Sequence, residues 1–462
     1  MHESVAGEIE AAVGLVRSQL RAEQEARKLP GLSAAVVHGQ ATLWSGGFGQ
    51  ADLGSGRPAG ADTVYRMASI TKLFTAAALM LLRDAGRLQL DDPIERHLSE
   101  ARLRSRFADG APPPTLRQAA AHVAGLPREA PLEYWETFKI PPIEALLASL
   151  ADSEMALRPL TEVKYSNLGY ALLGHVVERV SGQAYERFVA ERMLRPLEMV
   201  SSGFDRDLPD GVRGRIAVGY WTPPEKEREP APHLEEGGMN AAGGLYSTVD
   251  DIARFVALQF RDGPVGGAQV LAGGTLREMR APVFLASDWK SARGIGWQIE
   301  RVAAPGGHPT AVGHSGGLPG WATNVMLVPE LEVGVAVFVN TGADAAGLSR
   351  AALEVLVPVL ARLKSRSEAA AAEPLPEGWQ RYAGRYRSGL LEVEVKPLRG
   401  RLAIVYPEAP PGSEMLLSRV GDDVFRSHDG EIVAFDRDDA GQAIRLRGGA
   451  AVFRRVPQET SG

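Results

Sequence analysis

The chain of 462 residues has no cysteine. Disulfides, zinc-thiolate sites and thiol nucleophiles are therefore excluded together, although the compartment is not fixed, because secreted proteins also exist without cysteine. Apolar runs are short. None approaches the roughly 20 residues of a membrane span. Excess positive charge is missing too: 51 basic against 57 acidic residues give a net charge of -6, and no Lys/Arg cluster is interleaved with aromatics, which argues against a nucleic-acid partner. His122, His175, His233 and His308 stand apart, without H-x-x-x-H spacing, so neither a metal site nor a cofactor is expected.

What is present is ordinary globular composition, 45% hydrophobic and 23% charged. The length exceeds one ordinary core and predicts two domains. Residues 3 to 27 are too charged for a signal-peptide core, and Val5, Ile9, Val13, Val16 and Leu20 follow a helical period. An amphipathic helix of the mature protein is expected there, with a cytoplasmic location, although removal of an export signal would leave the same start.

Two β-rich runs, Leu32 to Val37 and Ala41 to Ala51, flank His38-Gly39-Gln40 and predict a hairpin. A helix is expected from Ser69 to a stop at Gly86, and others over Leu168 to Val180, Tyr185 to Leu194 and Val249 to Gln259, the last behind a Ser247 to Asp250 capping pattern. The polar stretch Glu225 to Gly238, with its acidic pair Glu235-Glu236, reads as a solvated loop. Beyond residue 290 the texture becomes β, over Gly296 to Val302, Thr323 to Val328 and Val333 to Asn340, before a helix over Gly347 to Lys364. This predicts an α+β domain over 1-365, a mainly antiparallel sheet flanked by helices with a helical subdomain. Residues 366-376 have linker composition. Short β-patterned runs at roughly ten-residue spacing then predict a small all-β barrel or sandwich over 377-462.

Ser69-Ile70-Thr71-Lys72 is the most informative stretch. A serine hydroxyl is a weak nucleophile until a neighbour takes its proton, and a lysine at i+3 reaches it along one helix face. The spacing predicts a covalent serine hydrolase, against the plainer reading of a helix-capping serine. Tyr165-Ser166-Asn167 supplies a phenol and an amide before an apolar helix. His314-Ser315-Gly316-Gly317 supplies a polar side chain and a Gly-rich edge before a β run.

In this order S-x-x-K, Y-x-N and H-x-G resemble the motifs of the serine β-lactamase and penicillin-binding-protein superfamily, in particular its class C β-lactamase-like branch. The resemblance extends over roughly residues 5 to 365 and includes Gly47 to Asp52, His122-Val123-Ala124-Gly125-Leu126-Pro127, Gly243 to Thr248 and Gly294-Ile295-Gly296-Trp297. It implies a β-lactamase/transpeptidase-like fold and a catalytic set of Ser69, Lys72 and Tyr165, with the tyrosine as partner base. The backbone N–H groups of Ser69 and Gly317 are implied as the oxyanion hole, and Asn167, His314, Ser315 and Gly316 as substrate-binding. The segment Tyr382 to Tyr386 resembles the opening strand of lipocalin-like barrels that follow some of these hydrolases.

Two departures bear on substrate. His314 stands where β-lactamases and peptidases carry the lysine of K-T-G, so a permanent cation becomes a titratable imidazole. Ala124 stands where relatives usually have serine. Branch members with H-x-G resemble esterases and D-amino-acid amidases or peptidases. The expectation is an acyl-enzyme hydrolase of esters, amides or D-amino-acid peptides, or else a penicillin-binding sensor with little turnover. Gly313 to Gly317 also matches G-x-S-x-G, an elbow that would make Ser315 the nucleophile but requires a helix directly after it. Trp297, Tyr220 and Trp221 fit cleft lining or core equally well, and oligomeric state is not legible.

Overall fold

The computed structural model describes the chain apart from residues 1, 102-109, 223-226, 303-307, 371-375, 390, 399, 409-412, 450 and 458-462. Contacts divide it into two compact units, Met1–Leu360 and Ala361–Gly462.

The first unit is α+β. Its nine-stranded sheet runs, edge to edge, Arg57–Pro58, Ala41–Asp52, Gly31–His38, Val333–Val339, Trp321–Val328, Thr310–Leu318, Gln298–Arg301, Ser291–Arg293, Phe284–Leu285, with every pairing antiparallel. The expected hairpin is present, closing at His38↔Ala41 with Gly39 at φ +55°. The central strands Val333–Val339 and Trp321–Val328 are buried at every position. Uninterrupted Val, Ala and Leu suits a sheet covered on both faces better than alternation would.

Each face has its own helices. Val13, Val16 and Leu20 of helix His2–Ala26 and Leu348, Leu353 and Leu356 of helix Ala345–Ala370 share one core with Val335 and Val337. On the opposite face helix Thr71–Asp84 packs against Val249–Leu258, with Phe74 stacked on Phe255 at 4.4 Å. Trp297 joins this core, 1% exposed and stacked on Phe255, so it is a packing residue. The cap of Val249–Leu258 is Thr248, whose side chain accepts from Asp251 N–H, and Gly182, at φ +73°, ends helix Asn167–Ser181. Helix Ala345–Ala370 runs past residue 366, so the first part of the expected linker is helical, and 371-375 lie outside the described residues.

The second unit is a closed barrel of eight antiparallel strands between Gly384 and Arg455. Its interior is filled by Tyr386, Val393, Val395, Leu402, Leu417, Phe425, Phe435 and Phe453. Tyr386, in the segment that resembles a lipocalin-like opening strand, donates its hydroxyl to Tyr382 O at 2.8 Å.

Candidate active site

Ser69 lies in a 3-10 turn, Ala68–Ile70, that leads into helix Thr71–Asp84. Ala68 sits at φ +48°, a left-handed conformation that costs a residue with a Cβ on the order of 1 kcal/mol or more. Neighbouring hydrogen bonds hold it there. Thr71 Oγ1 donates to Ala68 O at 2.7 Å and accepts from Leu245 N–H at 3.1 Å, while Met67 N–H donates to Leu245 O at 2.8 Å.

Lys72 is completely buried. Its Nζ donates to Ser69 Oγ at 3.1 Å and to Ala242 O at 2.6 Å. The same ammonium lies 5.1 Å from the centre of the Tyr165 ring and 5.5 Å from that of Tyr170. Tyr165, half-buried, directly precedes helix Asn167–Ser181, which Ser166 caps by accepting Gly169 N–H at 2.8 Å. Lys72 thus lies between Ser69, its neighbour on the same turn, and the ring of Tyr165, which comes from a remote segment.

The third motif is brought in by a glycine. A Cβ on Gly316 would lie 2.3 Å from both Met67 O and Thr323 Oγ1, and Thr323 Oγ1 donates to that same Met67 carbonyl at 2.9 Å. Only a residue without a side chain lets strand Thr310–Leu318 lie flush against the turn that carries Ser69. The next residue, Gly317, is exposed. Ser315 is exposed in mid-strand and its Oγ accepts from Asn324 Nδ2 at 3.0 Å. A further strand, Trp321–Val328, follows instead of a helix, so the G-x-S-x-G elbow is absent.

His314 does not behave as a titratable replacement for the K-T-G lysine. It is 2% exposed, its Nδ1 donates to Ser315 O at 2.8 Å, and its Nε2 has no hydrogen-bond partner among the described residues. Burial first, then the Lys72 charge, pushes its pKa down to about 3. A buried ring kept neutral cannot hold a substrate carboxylate by charge. His122, the first residue of the segment His122-Val123-Ala124-Gly125-Leu126-Pro127, is tied directly to the Y-x-N motif: its ring stacks on that of Tyr165 at 4.2 Å, and its Nδ1 accepts the N–H of Ser166 at 3.1 Å. Burial, reinforced by Lys72, holds its imidazole well below the usual range.

Two residues beside the site were not found from sequence. Glu129 receives Asn167 Nδ2 at 2.6 Å and the Tyr134 hydroxyl at 2.8 Å. Arg293, at the end of strand Ser291–Arg293, depresses the pKa values of His122 and His314 and interacts with the Tyr165 and Tyr170 phenols. Among the described residues its guanidinium makes no hydrogen bond or ion pair. Each stands within two residues of a quoted segment, Glu129 just beyond Gly125-Leu126-Pro127 and Arg293 directly before Gly294-Ile295-Gly296, and that proximity is the signal available. A correction concerns Glu236: far from being solvated, it forms a buried ion pair with Arg66 at 2.8 Å, with side chains 5% (Arg66) and 8% (Glu236) exposed. Burial raises its carboxyl pKa, with Arg66 and Lys72 opposing. No group of three or more metal-ligating side chains occurs among the described residues, and no described helix is long and apolar enough to cross a membrane.

The first unit is thus an antiparallel sheet covered on one face by helices from its own two ends and on the other by the helix that carries Lys72. The chain belongs to the beta-lactamase family, whose profile matches residues 16–357. A putative beta-lactamase-like 1 protein of Homo sapiens is 31% identical over 79% of this chain and 72% of its own length. The D-alanyl-D-alanine-carboxypeptidase/endopeptidase AmpH of Escherichia coli is 27% identical over 67% of this chain and 79% of its own. In fold, the chain is similar to the octameric penicillin-binding protein homologue from Pyrococcus abyssi, with TM-score 0.64 and 24% identity over 96% of this chain and 99% of that one.

Proposed function

We propose that the protein is a serine hydrolase that forms and hydrolyses an acyl-enzyme on Ser69, acting on esters, amides or short D-amino-acid peptides. The observation that carries this is the position of Lys72 Nζ, hydrogen-bonded to Ser69 Oγ at 3.1 Å and set over the Tyr165 ring at 5.1 Å. Ser69 Oγ attacks the acyl carbon, its proton passes to the Lys72–Tyr165 pair, and the same pair returns a proton to the departing oxygen or nitrogen as the carbonyl–leaving-group bond breaks. Water then repeats the sequence in reverse and releases the acid. The N–H groups of Ser69 and Gly317 are the proposed oxyanion donors, supported by the contact that seats the Gly316 strand against the nucleophile turn. Ser315 and Asn167 line the proposed cleft, and Arg293 supplies the permanent positive charge that buried His314 does not. The name of the AmpH relative, a D-alanyl-D-alanine-carboxypeptidase/endopeptidase, supports the peptide branch of this reading.

The test is turnover of p-nitrophenyl acetate and labelling by a fluorescent penicillin, in wild type and Ser69→Ala. Expected are multiple turnovers in wild type and a loss on the order of 10⁴-fold or more in the variant. Stoichiometric labelling without turnover would identify a penicillin-binding sensor instead.

A further inference from the structure

Asn167 offers an amide that could read the amide of a substrate, yet its Nδ2 donates to the Glu129 carboxylate at 2.6 Å. That carboxylate is built into the Y-x-N motif rather than hanging near it. Asn167 N–H donates to Arg128 O at 2.8 Å, Leu168 N–H to the same oxygen at 3.2 Å, and Ser166 Oγ to Pro127 O at 2.5 Å. The backbone leading into Glu129 is thereby tied to the first turn of the helix that follows Tyr165. Tyr134, 1% exposed, fixes the other carboxylate oxygen through its hydroxyl at 2.8 Å.

We infer that Glu129 determines specificity, selecting acyl donors that carry a protonated amine close to the scissile carbonyl, that is, aminoacyl esters, amides and peptides with a free amino end. Two protein donors occupy one acceptor position on each oxygen, whereas a carboxylate has about four. The side chain is 22% exposed, so the remaining positions are reachable. Its charge is only weakly offset by its ion pair with Arg128. The adjoining Arg128 Nε lies 3.7 Å away on a side chain 63% exposed, too far for a hydrogen bond and weakened by water. Two donors hold the carboxylate in one orientation before substrate arrives, so little ordering cost falls on binding. An ammonium brings both the charge and the extra N–H donors that such an acceptor favours; an N-acylated substrate brings one uncharged N–H.

This rests on the acyl-enzyme reading of Ser69, and the test separates the two. Alanine p-nitroanilides of both enantiomers and their N-acetyl derivatives are compared in wild type and Glu129→Gln, with p-nitrophenyl acetate as a substrate that carries no amine. Gln keeps the shape and an acceptor but removes the charge. Wild type is expected to prefer the free amine, with the ratio of kcat/KM for free over acetylated substrate falling about tenfold or more in Glu129→Gln. The preference should fade in wild type as pH rises through the amine pKa of roughly 8. A wild type without preference for the free amine, a variant that lowers both substrates equally, or Ser69-dependent hydrolysis of p-nitrophenyl acetate with neither anilide consumed would overturn the assignment. Absence of Ser69-dependent turnover on any ester would instead overturn the hydrolase reading beneath it. A melting temperature for Glu129→Gln close to wild type excludes misfolding as the cause.

Discussion

Lys72 shows how much one side chain depends on its surroundings. Its spacing from Ser69 is local and legible in four letters, but its contacts with Ala242 O and the Tyr165 ring come from segments far along the chain. His314 makes the same point in reverse. Its place in the H-x-G motif is plain from sequence, but its charge state is set by burial that no local pattern announces. The sign of the consequence is fixed: a histidine depressed to about 3 in the folded protein and near 6.5 when unfolded takes up a proton on unfolding between those values. Stability is therefore fully present above about pH 6.5 and is lost on acidification toward pH 3, by on the order of 1 kcal/mol per pH unit. Urea denaturation at pH 7 and pH 5 should show wild type losing more stability than His314→Gln, which does not titrate. Equal losses would mean that His314 is not held neutral by the fold.

At the level of elements, the site is a joint between a turn, a helix start and a strand. Most of those elements are legible. The hairpin, the S-x-x-K helix and the helix behind Thr248 carry their signals in adjacent residues, in turn glycines, apolar spacing and a cap. The strand Thr310–Leu318 is less obvious, because its glycines and polar residues lower its β signal, and one of them, Gly316, serves a contact made with a remote turn. Gly316→Ala tests this. The added methyl would meet the Met67 carbonyl at 2.3 Å, and backbone cannot swing aside as a long side chain does, so strand and turn must part. We expect overpacking to cost about 1–3 kcal/mol and kcat/KM to fall about 10² -fold, the scale of losing one oxyanion donor. Ester hydrolysis alongside thermal melting measures both, and a variant as active as wild type would remove the strand from the site.

Across the whole molecule, the barrel is a separate compact unit with its own core. Phe425 is fully buried there, against Trp379 and Tyr382 at 5.2 Å and Phe435 at 5.6 Å. Phe425→Ala should destabilise this unit by about 3–5 kcal/mol, read as an earlier unfolding transition in urea. A cost below about 1 kcal/mol would contradict a barrel held by its aromatic interior.

The sequence by itself determined the family and the order of α+β domain and β-barrel, and it singled out Ser69, Lys72 and Tyr165 as the proposed catalytic set, because motif spacing and periodicity are carried by neighbouring residues. Tertiary structure alone decided that His314 is buried, with its pKa pushed down, that Glu236 is buried against Arg66, that His122 stacks on Tyr165, and that Glu129 and Arg293 stand beside the site. Charge state and contact depend on desolvation and distance between residues remote in the chain, and only folding sets those.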